Sequence, residues 1–387
     1  MKNKATFGQI LQKLATISTS SSASDNQGKE LLKVRFSKKP TTFFAEIRSK
    51  TEAYFKENNI RPTGDYRLWV KTIFFILAFT GGYVWLVFFT PEMNWLSIIA
   101  CVVMGGLGAG IGFNIMHDGA HGSYSRKKWV NKLMATSLNI LGGNVLFWSQ
   151  KHNENHHTFT NVEGMDDDID LKPFFRVHSE QKKYKIHRFQ HIYWVILYGL
   201  TYTSWVFYRD FKKYFTSKIA DHTELKKFTL KDHFNFWIYK VVFIGIFIVI
   251  PLLTVGWLPM LIGFNVMAFV LGWILAIVFQ LAHVVEETEF VNPTAENPDV
   301  QEEWAIHQMA TTANFAPRNK FISWCVGGLN YQVEHHLFPK ISHVHYPQIS
   351  KIVMETSRAH GIPYYVFPTM RSAIASHVKV LKKTGRI

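Results

Sequence analysis

The segment QVEHHLFP, residues 332–339, sets two adjacent histidines behind a glutamate. Imidazoles side by side are poor packing material; they are either solvated or bound to something. Other parts of the chain supply partners for them. HDGAH places His117 and His121 four residues apart, on one face of a helix. HNENHH supplies His152, His156 and His157, and FQLAHVVEE supplies His283. The last cluster adds His335 and His336, with Gln332 three residues ahead. Neutral imidazole suits zinc, copper, iron or nickel. One structural zinc takes four ligands, whereas eight histidines fit two metals. Asp118, Glu154 and Glu334 are the neighbouring carboxylates expected to orient the rings. The acidic run Asp166, Asp167, Asp168 and Asp170 is either a further orienting set or a solvated turn. Surface histidines near lipid headgroups are the competing account. It suits any one histidine and fails for three clusters of this spacing together. His178, His222, His307 and His360 are read as structural.

The elements that carry these clusters are apolar. The 387-residue chain is 48% hydrophobic with 32 Phe and 12 Trp, and its apolar residues fall in long uncharged runs. Segments of about 22 residues at 69–90, interrupted only by Lys71, and at 95–116, with no charge, are each long enough to cross the hydrocarbon core. The run at 241–282 has no charge and is long enough for two crossings, expected at about 238–258 and 260–282, with Pro251, Gly256 and Pro259 at the turn. The connectors lack Lys and Arg, which places them outside the cytoplasm. The expected architecture is therefore an all-α, multi-pass membrane protein of four transmembrane helices in two hairpins. Weaker apolar stretches at 130–150 and 191–208 are expected to be interfacial helices, since either one crossing alone would separate the histidine clusters. With that parity, every cluster lies at the cytoplasmic end of a span, where a helical cap would hold a di-metal site.

Residues 1–64 are expected to form a cytoplasmic N-terminal region. It is partly disordered over the Ser-rich stretch at 17–28 and carries a basic, amphipathic segment suited to a membrane face. A main domain follows over 65–345 and a cytoplasmic tail over 346–387. The net charge of +15 is assigned to an anionic membrane surface and acidic partners rather than to nucleic acid. The two cysteines, Cys101 and Cys325, make neither a disulfide framework nor a thiolate metal site. No signal peptide is read at the N-terminus.

HxxxH, HxxxHH and QxxHH, in this order around two apolar hairpins, resemble the membrane fatty acid desaturases. Gln332 at the head of the third box resembles the front-end branch, which adds a double bond between an existing one and the carboxyl end. VRFSKKPTTFF and NFAPRNKFISWCVGGLNYQVEHHLFP also resemble bacterial linoleoyl-CoA desaturase-like proteins. The resemblance covers about 65–345. It implies oxygen-dependent desaturation of a fatty acyl chain at a di-iron centre, with O2 as oxidant and electrons from an external carrier. It carries His117, His121, His152, His156, His157, His335 and His336 over as ligands and catalytic residues. His283 is similar to an additional family ligand, and Gln332 stands where other branches have a histidine. The chain departs from the eukaryotic front-end pattern in having no fused cytochrome b5 domain. This points to a bacterial inner-membrane enzyme served by a separate ferredoxin- or cytochrome-type donor and its reductase. Phe113, Asn114, Trp148, Phe315 and Trp324 are candidates to line an acyl tunnel or to anchor in the interface.

A related di-iron hydroxylase or sphingolipid desaturase would need the same boxes. A membrane metal-binding or transport protein would also collect histidines, but it requires ionisable residues along a path through the spans. The segments at 95–116 and 241–282 have none.

Overall fold

The computed structural model describes residues 33–37, 41–90, 92–294, 297, 299–300 and 302–387. The Ser-rich stretch at 17–28 lies outside them. The chain is mostly helical. Among the described residues, four helices are long and apolar enough to cross a membrane: Tyr66–Phe88, Trp95–His121, Leu230–Val255 and Trp257–His283. Each starts where the chemistry asks. Asp65 accepts a hydrogen bond from the Arg67 amide, Asn94 and Ser97 form a capping box, and Thr229 and Asp232 form another. The uncharged run that had to break once does so at Gly256, whose φ of 86° ends one helix and begins the next.

The second and fourth long helices run for 27 residues each, about 40 Å of helix against a hydrocarbon core of about 30 Å. They are thus longer than a crossing requires, and their C-terminal ends carry His117–His121 and His283. The two helices pack closely on each other, with Leu271 and Met267 of the fourth buried among Met104, Ile111 and Phe75. The stretches expected as interfacial helices are broken into short pieces. Lys128–Ala135, Ser137–Ile140 and Val145–Trp148 come from the first; Gln190–Gly199, Thr201–Ser204 and Trp205–Arg209 come from the second. The second series rests directly on the fourth long helix at Gly272, where a Cβ would meet the Gly199 carbonyl oxygen at 2.7 Å.

The remaining elements form one layer at the histidine end. Helix Thr42–Glu57 buries Phe43, Ile47 and Phe55 against Tyr331, Val333, Ile349 and Val353. Its apolar face is thus consumed by protein, where the sequence suggested a membrane face. The segment after 345, expected as a tail, folds into helices Tyr346–Ala359 and Met370–Thr384. Ala373 and Leu381 of the latter sit in the same core as Phe113 and Ile277 of the long helices. Three two-stranded ribbons tie the layer together. Arg35–Phe36 runs parallel to Asp299–Val300, and Ala313–Phe315 runs parallel to Tyr365–Phe367. Lys218–Ala220 runs antiparallel to Thr223–Glu224.

Candidate metal centre

The first box continues the second long helix through a π-helical turn, Gly112–Met116, into His117–His121. The second box is itself π-helical over Ser149–His156. That matters for HxxxHH. In an α-helix the fifth residue on is rotated by about 140° from the first, so His157 would face away from His152. The wider i→i+5 turn, closed by the His157 amide on the His152 carbonyl at 3.1 Å, brings both rings to one side. Their ring centroids are 4.8 Å apart. The third box is the short helix Gln332–Leu337. It is fed by Gly327, whose φ of 60° and whose approach to the Phe113 carbonyl leave no room for a side chain.

All eight histidines converge. Candidate ligand atoms of His117, His121, His152 and His335 lie within 4.8 Å of one another, and those of His156, His283 and His336 do the same. His157 stands between the two groups, with ring centroids 4.5 Å from His335 and from His336 and 4.8 Å from His121. The eighth convergent position, His283, comes from the end of the fourth long helix. Gln332 is buried and lines the cavity beside His117, His152 and His335.

The hydrogen bonds divide five of the rings into a held nitrogen and a free one. His152 Nδ1 faces Asp168 at 2.8 Å, and His156 Nδ1 faces Asp166 at 2.8 Å. His336 Nδ1 faces Gln308 Oε1 at 2.8 Å, His335 Nδ1 faces the Tyr346 hydroxyl at 3.1 Å, and His283 Nδ1 faces the Thr311 carbonyl at 3.2 Å. The Nε2 atoms of all five, and of His121 and His157, are buried without a hydrogen-bond partner. Leaving one such group orphaned costs about 1–3 kcal/mol, so seven together demand a ligand. Burial, reinforced by the neighbouring imidazoles, holds His157, His335 and His336 well below the usual imidazole pKa. Burial also lowers His152, against the opposing pull of Asp168. These rings are neutral, the form that coordinates metal. Asp168 stays ionised: burial acts to raise its pKa, but Lys151 and His152 outweigh burial and hold it well below the carboxylate range. The donor set is thus all imidazole and buried, with five of the rings held at Nδ1, which fits a pair of transition-metal ions.

The carboxylates expected from sequence adjacency do not orient these rings. Asp118 accepts from Ser342 at 2.6 Å and faces His343 at 3.1 Å. Glu154 points outward to Lys226. Glu334 accepts from Asn314 and Tyr364, and burial pushes its carboxyl up to about 7. Residues one or two apart on a helix face different ways, so a carboxylate next to a ligand in sequence points away from it. The acidic run does the orienting instead, through Asp166 and Asp168. Gln308, Tyr346 and Thr311 carried no signal in the sequence, because each reaches the rings only through the fold. Gln280, one turn before His283, is another: it is 2% exposed, its Oε1 has no partner, and it lines the cavity. His178, His307 and His360 bond to Glu163, the Thr160 carbonyl and Glu46, as structural histidines do.

A cavity with mostly apolar walls, and with Lys151, Asp167, Asp168, Arg209 and Lys213 also on its lining, runs up to the first group. Phe113, Met116, Leu141, Trp148, Leu275 and Phe279 form much of its wall, and His117, His152 and His335 lie on it. Of the tunnel candidates, Phe113 and Trp148 line this cavity. Phe315 is in the core, and Asn114 is bonded to Lys71.

Fold and site together define a helical membrane protein with a paired histidine centre beside an apolar cavity. The fatty acid desaturase profile matches residues 93–368, and the chain belongs to that family. It is similar to the sn-1 linoleoyl-lipid 6-desaturase of Arthrospira platensis, 36% identical over 88% of this chain and 92% of that protein. The acyl-lipid (8-3)-desaturase of Physcomitrium patens is 36% identical over 89% of this chain and 72% of its own. The sn-1 linoleoyl-lipid 6-desaturase of Synechocystis is 33% identical over 92% and 98%. The chain is thus an enzyme, a fatty acid desaturase, and the transporter, hydroxylase and sphingolipid readings lose their ground.

Proposed function

We propose that the protein inserts a double bond into a lipid-linked, already unsaturated acyl chain, on the carboxyl side of the existing bond. The observation that carries the reading is the apolar cavity ending on His117, His152 and His335, beside seven buried, partnerless Nε2 atoms. The names of the relatives, which include an sn-1 linoleoyl-lipid 6-desaturase and an acyl-lipid (8-3)-desaturase, support the front-end regiochemistry.

His117, His121, His152 and His335 would hold one iron, and His156, His283 and His336 the other, with His157 between them. The bound irons supply oxygen activation, which removal of hydrogen from an unactivated methylene requires. The chain's own residues do the rest. The walls exclude water from the acyl chain and align one methylene pair. Asp166, Asp168, Gln308 and Tyr346 fix the rings. Gln332, on the cavity beside His335, positions the chain or the first iron. Two hydrogens leave the acyl chain and O2 becomes two waters. That takes four electrons, two from the substrate and two from a separate carrier with its reductase, and two further protons from solvent.

The active site faces the cytoplasm in this reading, with the long helices as two hairpins in a bacterial inner membrane and the histidine-end layer as a cytoplasmic cap. Fatty-acid profiling of a bacterial host that expresses the gene and is fed linoleate tests the reaction. A new double bond between C9 and the carboxyl carbon is expected; a new bond on the methyl side, or none in cells shown to hold iron-loaded protein, overturns it.

A further inference from the structure

A second cavity, of about 660 Å³, opens where the first long helix begins. Tyr66, Arg67, Val70 and Lys71 of that helix form one wall; Arg318, Lys320, Ser323 and Trp324 form another. Four of its lining residues are Lys or Arg and none is Asp or Glu. Arg318 and Lys320 are exposed, while Lys71 is only 5% exposed. The Lys71 ammonium meets Asn114 Oδ1 at 2.7 Å and His343 Nε2 at 3.0 Å, and it stands 5.6 Å from the Trp324 ring centroid. Neither hydrogen-bond partner is a carboxylate. The nearest negative charge in this chain of contacts is Asp118, on the far side of His343. An ammonium has three N–H groups, so one is left for the cavity. Burying a cation at this depth without a direct counter-ion is costly, and an anion in the cavity would offset that cost.

The surroundings indicate what carries the anion. Val70, Phe74, Phe321 and Trp324 are 59%, 48%, 75% and 37% exposed around the cavity, and Phe74 packs edge-on against Trp324 at 5.3 Å. Exposed aromatic and aliphatic side chains at the start of a membrane helix belong among acyl chains and at the headgroup level. We propose that this cavity binds the phosphate of an anionic glycerophospholipid. Lys71, Arg318 and Lys320 receive the phosphate, Arg67 stays at the rim paired with Asp65 at 2.8 Å, and the acyl chains lie along Val70, Phe74 and Phe321. The site is distinct from the histidine-lined cavity, and the inference requires membrane insertion but not the desaturation chemistry.

Native mass spectrometry of the full-length, iron-loaded protein in a non-ionic detergent tests it, by titration with dioleoyl phosphatidylglycerol and with dioleoyl phosphatidylcholine. Phosphatidylglycerol should bind about tenfold more tightly. Arg318→Glu/Lys320→Glu should abolish that preference while iron content and thermal unfolding stay at wild-type values. Lys71→Met should weaken phosphatidylglycerol binding and leave phosphatidylcholine unchanged. If it does not fold, the surface double variant alone decides. A preference that survives the double charge reversal overturns the site. So does full displacement of phosphatidylglycerol by inorganic phosphate at millimolar concentration, which would mean a free-anion pocket to which the acyl chains add nothing. Loss of binding to an acidic carrier protein in the double variant, with lipid binding intact, would assign the surface to that partner and overturn the lipid.

Discussion

His157 is the only member of the cluster whose ring nitrogens are both buried without a partner, and it stands between the two ligand groups. Removing it would touch both proposed metal sites. His157→Ala and His335→Ala should each abolish desaturation and lower bound iron, as read by product profiling and elemental analysis of purified protein. Wild-type product from either variant removes that residue from the ligand set, and one zinc with no iron in wild type sinks the di-iron reading. The ring-orienting residues should give graded effects. Asp168→Asn and Asp166→Asn should each cost about 10–100-fold in metal affinity or activity, because the rings remain but lose their anchors. Gln332→Ala should cost more activity than Gln348→Ala on the helix after the third box; equal and small effects would remove Gln332 from the site.

At the scale of elements, two backbone departures create the site. The π-helical second box brings His157 round to His152, and the left-handed Gly327 lets the third-box loop pass against the Phe113 carbonyl. Gly327→Ala should therefore destabilise the protein by at least about 1–2 kcal/mol from the left-handed backbone alone. A Cβ only 2.4 Å from the Phe113 oxygen adds a clash. A lowered thermal midpoint in detergent, together with loss of iron, is the expected result. Gly361→Ala shares a positive φ but has no atom within reach of the new Cβ, so it isolates the backbone cost. Equal shifts for the two variants would mean that the approach to Phe113 is not what requires Gly327.

Charge and topology act on the whole molecule. In a cysteine-free background, Glu92→Cys should be labelled from outside intact cells and Glu180→Cys only after permeabilisation; both side chains are exposed. The reverse pattern would invert the proposed orientation. The net charge of +15 leaves Arg126, Lys127, Lys128, Lys382, Lys383 and Arg386 exposed in the histidine-end layer. An acidic electron carrier would be steered to such a surface, and exposed charges are screened beyond about 10 Å at 0.1 M salt. Turnover at subsaturating carrier should therefore fall as salt rises. A salt-independent rate would return these charges to the lipid surface.

The three histidine boxes, His283 and the four apolar runs were legible in the sequence, because each rests on local spacing or length. HxxxH is a helical face, and a run of 22 uncharged residues has few fates outside a membrane. The sequence missed what pairs across the chain. Asp118 and Glu334 were adjacent to ligands and turned away, while Gln308, Tyr346 and Gln280 were unremarkable in sequence and turned inward. Helix Thr42–Glu57 and the residues after 345 read as peripheral, since an amphipathic helix looks the same whether its apolar face meets lipid or protein. Packing against Tyr331, Val333, Ile349 and Val353 settles it for the first of them as protein. The tertiary structure also decided the division of the histidines into two groups, since that depends on a π turn and on helix ends far apart in sequence. Local spacing places a ligand on a face; only the packing of other elements determines what that face meets.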